Sequence, residues 1–225
     1  MSGMSMPDMA APGWSIGGAA ICLAMWTVMM AAMMLPAAAP MLLIFTAAQA
    51  KRRGRAAMVP TWIFAAGYLL VWAAVGLAVY VLVQIGSDLA THLAPTARTT
   101  WAPLALGTTL LAAGLYQFTP LKRICLSHCR SPLGFVMQHW RDGRLGALRM
   151  GVVHGAYCLG CCWALFAALV AAGVMSLAWM LLLTLMVFVE KVLPLGQRVS
   201  AGIGIALAAL GVLVASGAIW MPWAG

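Results

Sequence analysis

Residues 154–162 read HGAYCLGCC, one histidine and three cysteines within nine positions of an otherwise apolar stretch. On a helix advancing about 100° per residue, His154, Cys158, Cys161 and Cys162 follow i, i+4, i+7 and i+8 and project within an arc of roughly 100°. A second group precedes it in KRICLSHCRSP, where Cys125, His128 and Cys129 take the i, i+3, i+4 spacing that Cys158, Cys161 and Cys162 repeat. Thiolate and thioether sulfur select soft metals, Cu(I) above all, with Zn(II), Hg(II) and other thiophilic ions as competitors. Lys122, Arg123 and Arg130 flank the second group, and nearby positive charge favours thiolate over thiol. The alternative for each cysteine is service as a small, polarizable apolar side chain.

Methionine extends the sulfur inventory. The chain has 17 methionines. In the first apolar run Cys22, Met25, Met29 and Met33 fall within an arc of ~80°, and Met30, Met34 and Met41 line an adjoining strip. Thioethers running toward the cysteines would form a path for Cu(I). The alternative is packing, because methionine fills irregular helical interfaces well.

The elements that must hold these residues are transmembrane helices. The 225-residue chain is 64% hydrophobic and 8% charged, against roughly 25% charged in soluble domains. Apolar runs of about 20 residues recur along it, and no alternating ten-residue pattern suggests a barrel. The expected fold is all-α, a single polytopic membrane domain over 15–225 behind a Met-rich external segment, 1–14, that carries Met1, Met4, Met6 and Met9. No Lys or Arg precedes the first apolar run, so it does not read as a cleavable signal peptide. Six spans are expected, at about 15–50, 58–85, 101–118, 151–175, 177–189 and 199–220, the first kinked or divided by Pro36 and Pro40. Small Gly151 and Gly155 beside the cysteine stripe would let another helix approach there.

The formal net charge of +9 follows the spans. Lys51, Arg52, Arg53 and Arg55 lie between the first and second, Lys122, Arg123, Arg130, Arg141, Arg144 and Arg149 between the third and fourth, and Lys191 and Arg198 between the fifth and sixth. Only Arg98 falls on the other side. By the positive-inside rule both termini lie outside, and the basic residues face the cytoplasm rather than nucleic acid. Glu190 beside Lys191 reads as an interfacial pair at a helix end. Trp14, Trp101, Trp220 and Trp223 near span ends read as interfacial anchors. No G-x4-G-K-[ST] loop is present, so primary pumping by this chain alone is not expected.

MWTVMMAAMMLPAAAPM, the K-x2-C-L-x2-C-R-x-P core of KRICLSHCRSP, and CLGCCWAL followed by GVMSLAWM and the Glu190–Lys191 pair resemble a bacterial family of predicted metal-binding integral membrane proteins. Some of its members are called copper chaperones. The resemblance runs from about Met25 to Lys191, with CxGCCW its most specific element. It implies metal binding by Cys125, Cys129, Cys158, Cys161 and Cys162, with the AMMLP methionines as companions. His128 and His154 rest on spacing alone.

The leading function is therefore soft-metal binding in the bilayer, as a copper chaperone, insertion factor or facilitator of passage that hands metal to a protein partner. Catalysis is not expected. The alternatives are thiol-disulfide redox chemistry at Cys158 and Cys161, against which a reducing cytoplasmic location weighs, and transport of mercuric or other thiophilic ions.

Overall fold

A computed structural model of the chain describes residues 14–53, 58–92, 95–171, 177–193 and 196–218. The Met-rich segment and Trp220 and Trp223 lie outside the described residues. Among the described residues eight helices follow in order: α1 (Ile16–Arg53), α2 (Met58–Thr91), α3 (Pro95–Tyr116), α4 (Pro120–Arg130), α5 (Pro132–His139), α6 (Gly143–Ala171), α7 (Leu177–Val192) and α8 (Gly196–Ala215). Among the described residues there is no strand.

Among the described residues four helices, α1, α2, α6 and α8, are long and apolar enough to cross a membrane, and the bent pair α3–α4 brings the number to five if it counts as one span. The protein is thus a helical bundle compatible with multiple membrane passes. The count of four to five against the expected six has two local sources. At 16 residues α7 is about 24 Å long, short of the ~30 Å hydrocarbon core. The third apolar run does not continue straight, because the chain turns by 62° between Tyr116 and Pro120. Pro120 lacks the N–H that would extend α3, and it suits the first turn of a new helix. The Oγ1 of Thr119 caps that helix by accepting from the Lys122 N–H at 3.3 Å. Pro132 starts α5 in the same way after Ser131. The segment expected as a basic loop is therefore largely helical. In α1, Pro36 and Pro40 are carried inside one helix of 38 residues rather than dividing it.

The long helix α6 is the hub, packing against α2, α3, α4 and α7, while α3 lies along α8 and α1 against α2 and α7. Its approach to α2 is close enough that a Cβ at Gly151 would overlap the carbonyl of Phe64. One continuous core joins α1, α2, α4, α6 and α7, and a second, with Met41, Phe45, Phe64, Phe135 and Met150, lies beside it.

Candidate metal centre

The α6 stripe turns inward as its spacing requires. Cys158, Cys161 and Cys162 are each at most 2% exposed. The bend before Pro120 sends α4 across α6, and the amphipathic face of α4 buries Lys122, Cys125 and Leu126. Cys125 fits against Gly160, where a Cβ would come within 2.6 Å of its Sγ. One turn farther along, the Cys129 Sγ stands 4.0 Å from the Cys161 Sγ. The two cysteine groups, separate in sequence, thus meet at one helix crossing.

That separation suits a shared metal. A metal–sulfur bond of about 2.3 Å puts two sulfurs roughly 3.8 Å apart on a tetrahedral edge and roughly 4.6 Å apart when they oppose each other. All six cysteines are free. Among the described residues, however, no three His, Cys, Asp or Glu side chains converge into a group that could hold a metal ion as they stand. The arrangement is one close sulfur pair, with further thiols on the same turns. The Cys161 and Cys162 thiols both point to the Cys158 carbonyl, at 3.0 and 2.9 Å.

Cys158 has a different neighbourhood. The Lys191 Nζ donates to its Sγ at 2.9 Å, and the Tyr68 hydroxyl lies 3.0 Å from the same sulfur. This corrects the expected pairing of Glu190 with Lys191. Both Glu190 carboxylate oxygens accept from the Lys122 Nζ, at 3.0 and 2.9 Å. The Gln117 Oε1 also accepts from Lys122, and the Ser200 hydroxyl donates to that amide oxygen at 3.2 Å. Consecutive residues on a helix point about 100° apart, so Glu190 and Lys191 serve different partners. Lys122, assigned above to a cytoplasmic loop, is a buried member of this network.

The histidines turn elsewhere. His154 is buried among Phe64, Tyr68 and Phe135, with ring centroids 5.3 to 6.0 Å away, and its Nδ1 has no hydrogen-bond partner. His128 stacks on Tyr157 at 4.2 Å, with its Nδ1 2.9 Å from the Ile124 carbonyl oxygen. Neither hydrogen-bonds to a thiol.

Methionine placement differs from the expected line. Met25 is 45% exposed and faces away from the core. Met30, Met33 and Met34 are buried in the core that holds Cys125, Cys158, Cys161 and Cys162, with Met29 packed at its edge. The inward strip is thus centred one residue further round the helix, and Met41 belongs to the neighbouring core. Tyr68, Lys191 and the Lys122–Glu190 pair were not assigned to the site from sequence. Their signal there was the presence of polar or charged groups in apolar runs, which in a membrane are costly without partners.

Buried thiols thus meet at a crossing of apolar helices, beside thioethers and a lysine, in a helical bundle compatible with multiple membrane passes. The chain matches the PpoB2 family, described as copper chaperone, over residues 23–214, and it belongs to that family. No curated protein and no solved structure matches it.

Proposed function

We propose that the protein binds Cu(I) within a bacterial inner membrane and passes it to a protein partner, acting by binding rather than catalysis. The observation that carries this reading is the 4.0 Å approach of Cys129 to Cys161 in a core walled by Met30, Met33 and Met34. Cu(I) is the soft ion that accepts both thiolate and neutral thioether donors, whereas Zn(II) usually takes thiolate, imidazole or carboxylate. The thioethers of α1 would guide the ion, and the thiols of α4 and α6 would hold it. Membership in a copper chaperone family supports copper as the cargo.

In the proposed topology α7 and the bent α3–α4 pair join the four long helices as spans, with both termini outside. Accessible tags at the N-terminus and near Thr91 should then label from outside, and tags near Arg53 and Arg144 should not; the reverse pattern refutes this orientation. The function itself is tested by elemental analysis of protein purified anaerobically. The wild type should carry copper, and a variant with Cys125, Cys129, Cys158, Cys161 and Cys162 replaced by serine should not. Copper absent from the wild type, or equal in both, overturns the reading.

A further inference from the structure

The buried charges of the bundle are unequal in sign. Among the described residues, Lys122, Glu190 and Lys191 are the buried side chains that ordinarily carry a full charge. Glu190 is engaged through both oxygens by Lys122, with side chains only 1% and 2% exposed. Among the described residues Lys191 therefore has no carboxylate of its own. Its Nζ is directed at the Cys158 Sγ, 2.9 Å away, and its charge also acts on Cys161 and Cys129. An ammonium taken out of water needs a compensating anion, and among the described residues the groups facing Lys191 that can supply one are the Cys158, Cys161 and Cys129 thiols and the much less acidic Tyr68 hydroxyl.

Capture of a monovalent ion by two thiols supplies that anion. In Cu⁺ + 2 RSH → [Cu(SR)₂]⁻ + 2 H⁺ the complex carries one negative charge, and Lys191 neutralises it. A divalent ion held by the same two thiolates is already neutral, so Lys191 would remain as an uncompensated buried cation. A divalent ion would reach the same balance with three thiolates, but no three such donors converge among the described residues. We propose that Lys191 is the counter-ion of a bis-thiolate Cu(I) complex and makes the cysteine crossing select monovalent over divalent soft metal. This rests on the copper-binding reading above and adds to it the determinant of metal charge.

The test compares wild type with Lys191→Met, which keeps an unbranched chain without charge, and Lys191→Arg, which keeps the charge. Each full-length protein, purified without oxygen, is titrated with Cu(I) against a chromogenic Cu(I) chelator and, separately, with Cd(II) as a soft divalent probe. Lys191→Met should lower Cu(I) affinity at least tenfold while leaving Cd(II) affinity equal or higher, and Lys191→Arg should keep the wild-type preference to within about threefold. If Lys191→Met does not fold, Lys191→Gln is measured in its place. An unchanged ratio of Cu(I) to Cd(II) affinity in the neutral variant, including a parallel loss of both, overturns the inference and leaves the proposed function standing. Failure of the wild type to bind Cu(I) overturns both.

Discussion

Replacing Gly160 with alanine should disturb the junction that unites the two cysteine groups. The added Cβ would sit 2.6 Å from the Cys125 Sγ and 3.4 Å from its Cβ, so the sulfur, and not the backbone of α4, is the obstacle. Cysteine has one side-chain torsion, so the sulfur must swing to another staggered well or α4 must lift from α6. Overpacking of this kind costs about 1–3 kcal/mol, and a movable sulfur places it in the lower half, about 1–2 kcal/mol. For a chain of this size that corresponds to a fall of about 2–8 °C in the thermal transition. The assay is thermal unfolding of metal-free protein in detergent, paired with Cu(I) titration against a competing chelator. Gly160→Ala should weaken copper binding wherever α4 lifts from α6, because that widens the 4.0 Å approach of Cys129 to Cys161. The double variant with Cys125→Ala, whose nearest remaining contact is the 3.4 Å one, should recover to within about 0.5 kcal/mol of Cys125→Ala alone. Additive losses in the double variant would refute the contact between Gly160 and Cys125 as the origin of the effect.

If α4 and α6 share one metal, replacing Cys125 and Cys129 together should abolish high-affinity copper binding as fully as replacing Cys158 and Cys161 together; copper content that halves in each, with the remaining affinity intact, would reject a shared site. Converting Met30 and Met34 to leucine roughly preserves volume and should cost less than about 1.5 kcal/mol, yet copper delivery should fall while retention by the cysteines persists. Met25→Leu should leave delivery unchanged, and equal behaviour of the inner and outer variants in a delivery assay would reduce the methionines to packing. Glu190→Gln removes the partner of a buried lysine, a change that typically costs about 3–5 kcal/mol; a thermal transition within about 2 °C of wild type would show that the pair is not needed.

What the sequence disclosed was governed by near-neighbour geometry. The helical character of 154–162, the common face of its cysteines and the close approach at Gly151 all follow from helical periodicity and the absence of a side chain, which are local properties. The bend after Tyr116 was less legible, because a hydropathy window averages across Thr119 and Pro120 without sensing that they end one helix and cap the next. Partner choice was not legible. Glu190 and Lys191 are adjacent and opposite in charge, so they read as a pair, but the rotation of α7 gives each a different neighbour on α4 or α6. His154 lies on the cysteine stripe by its spacing, yet the aromatic residues of α2 and α5 surround its ring. Met25 likewise satisfies the helical arc and still faces outward, because an arc defines an angle on one helix without saying which angle the bundle covers.

The order of the chain gives the α4–α6 crossing a history during synthesis. Cys129 and Cys161 are separated by 32 residues, and Cys158 and Lys191 by 33. At about 5–20 residues per second, each interval lasts about 2 to 6 s. A nascent chain therefore holds the α4 thiols before those of α6, then both sides of the crossing without the lysine, and only afterwards the full set. The finished crossing can form only when α7 has been made and has packed beside α6. Until then the growing protein carries free thiols without the cation that accompanies Cys158 in the folded chain, so these sulfurs are most open to stray metals and oxidants before the bundle closes.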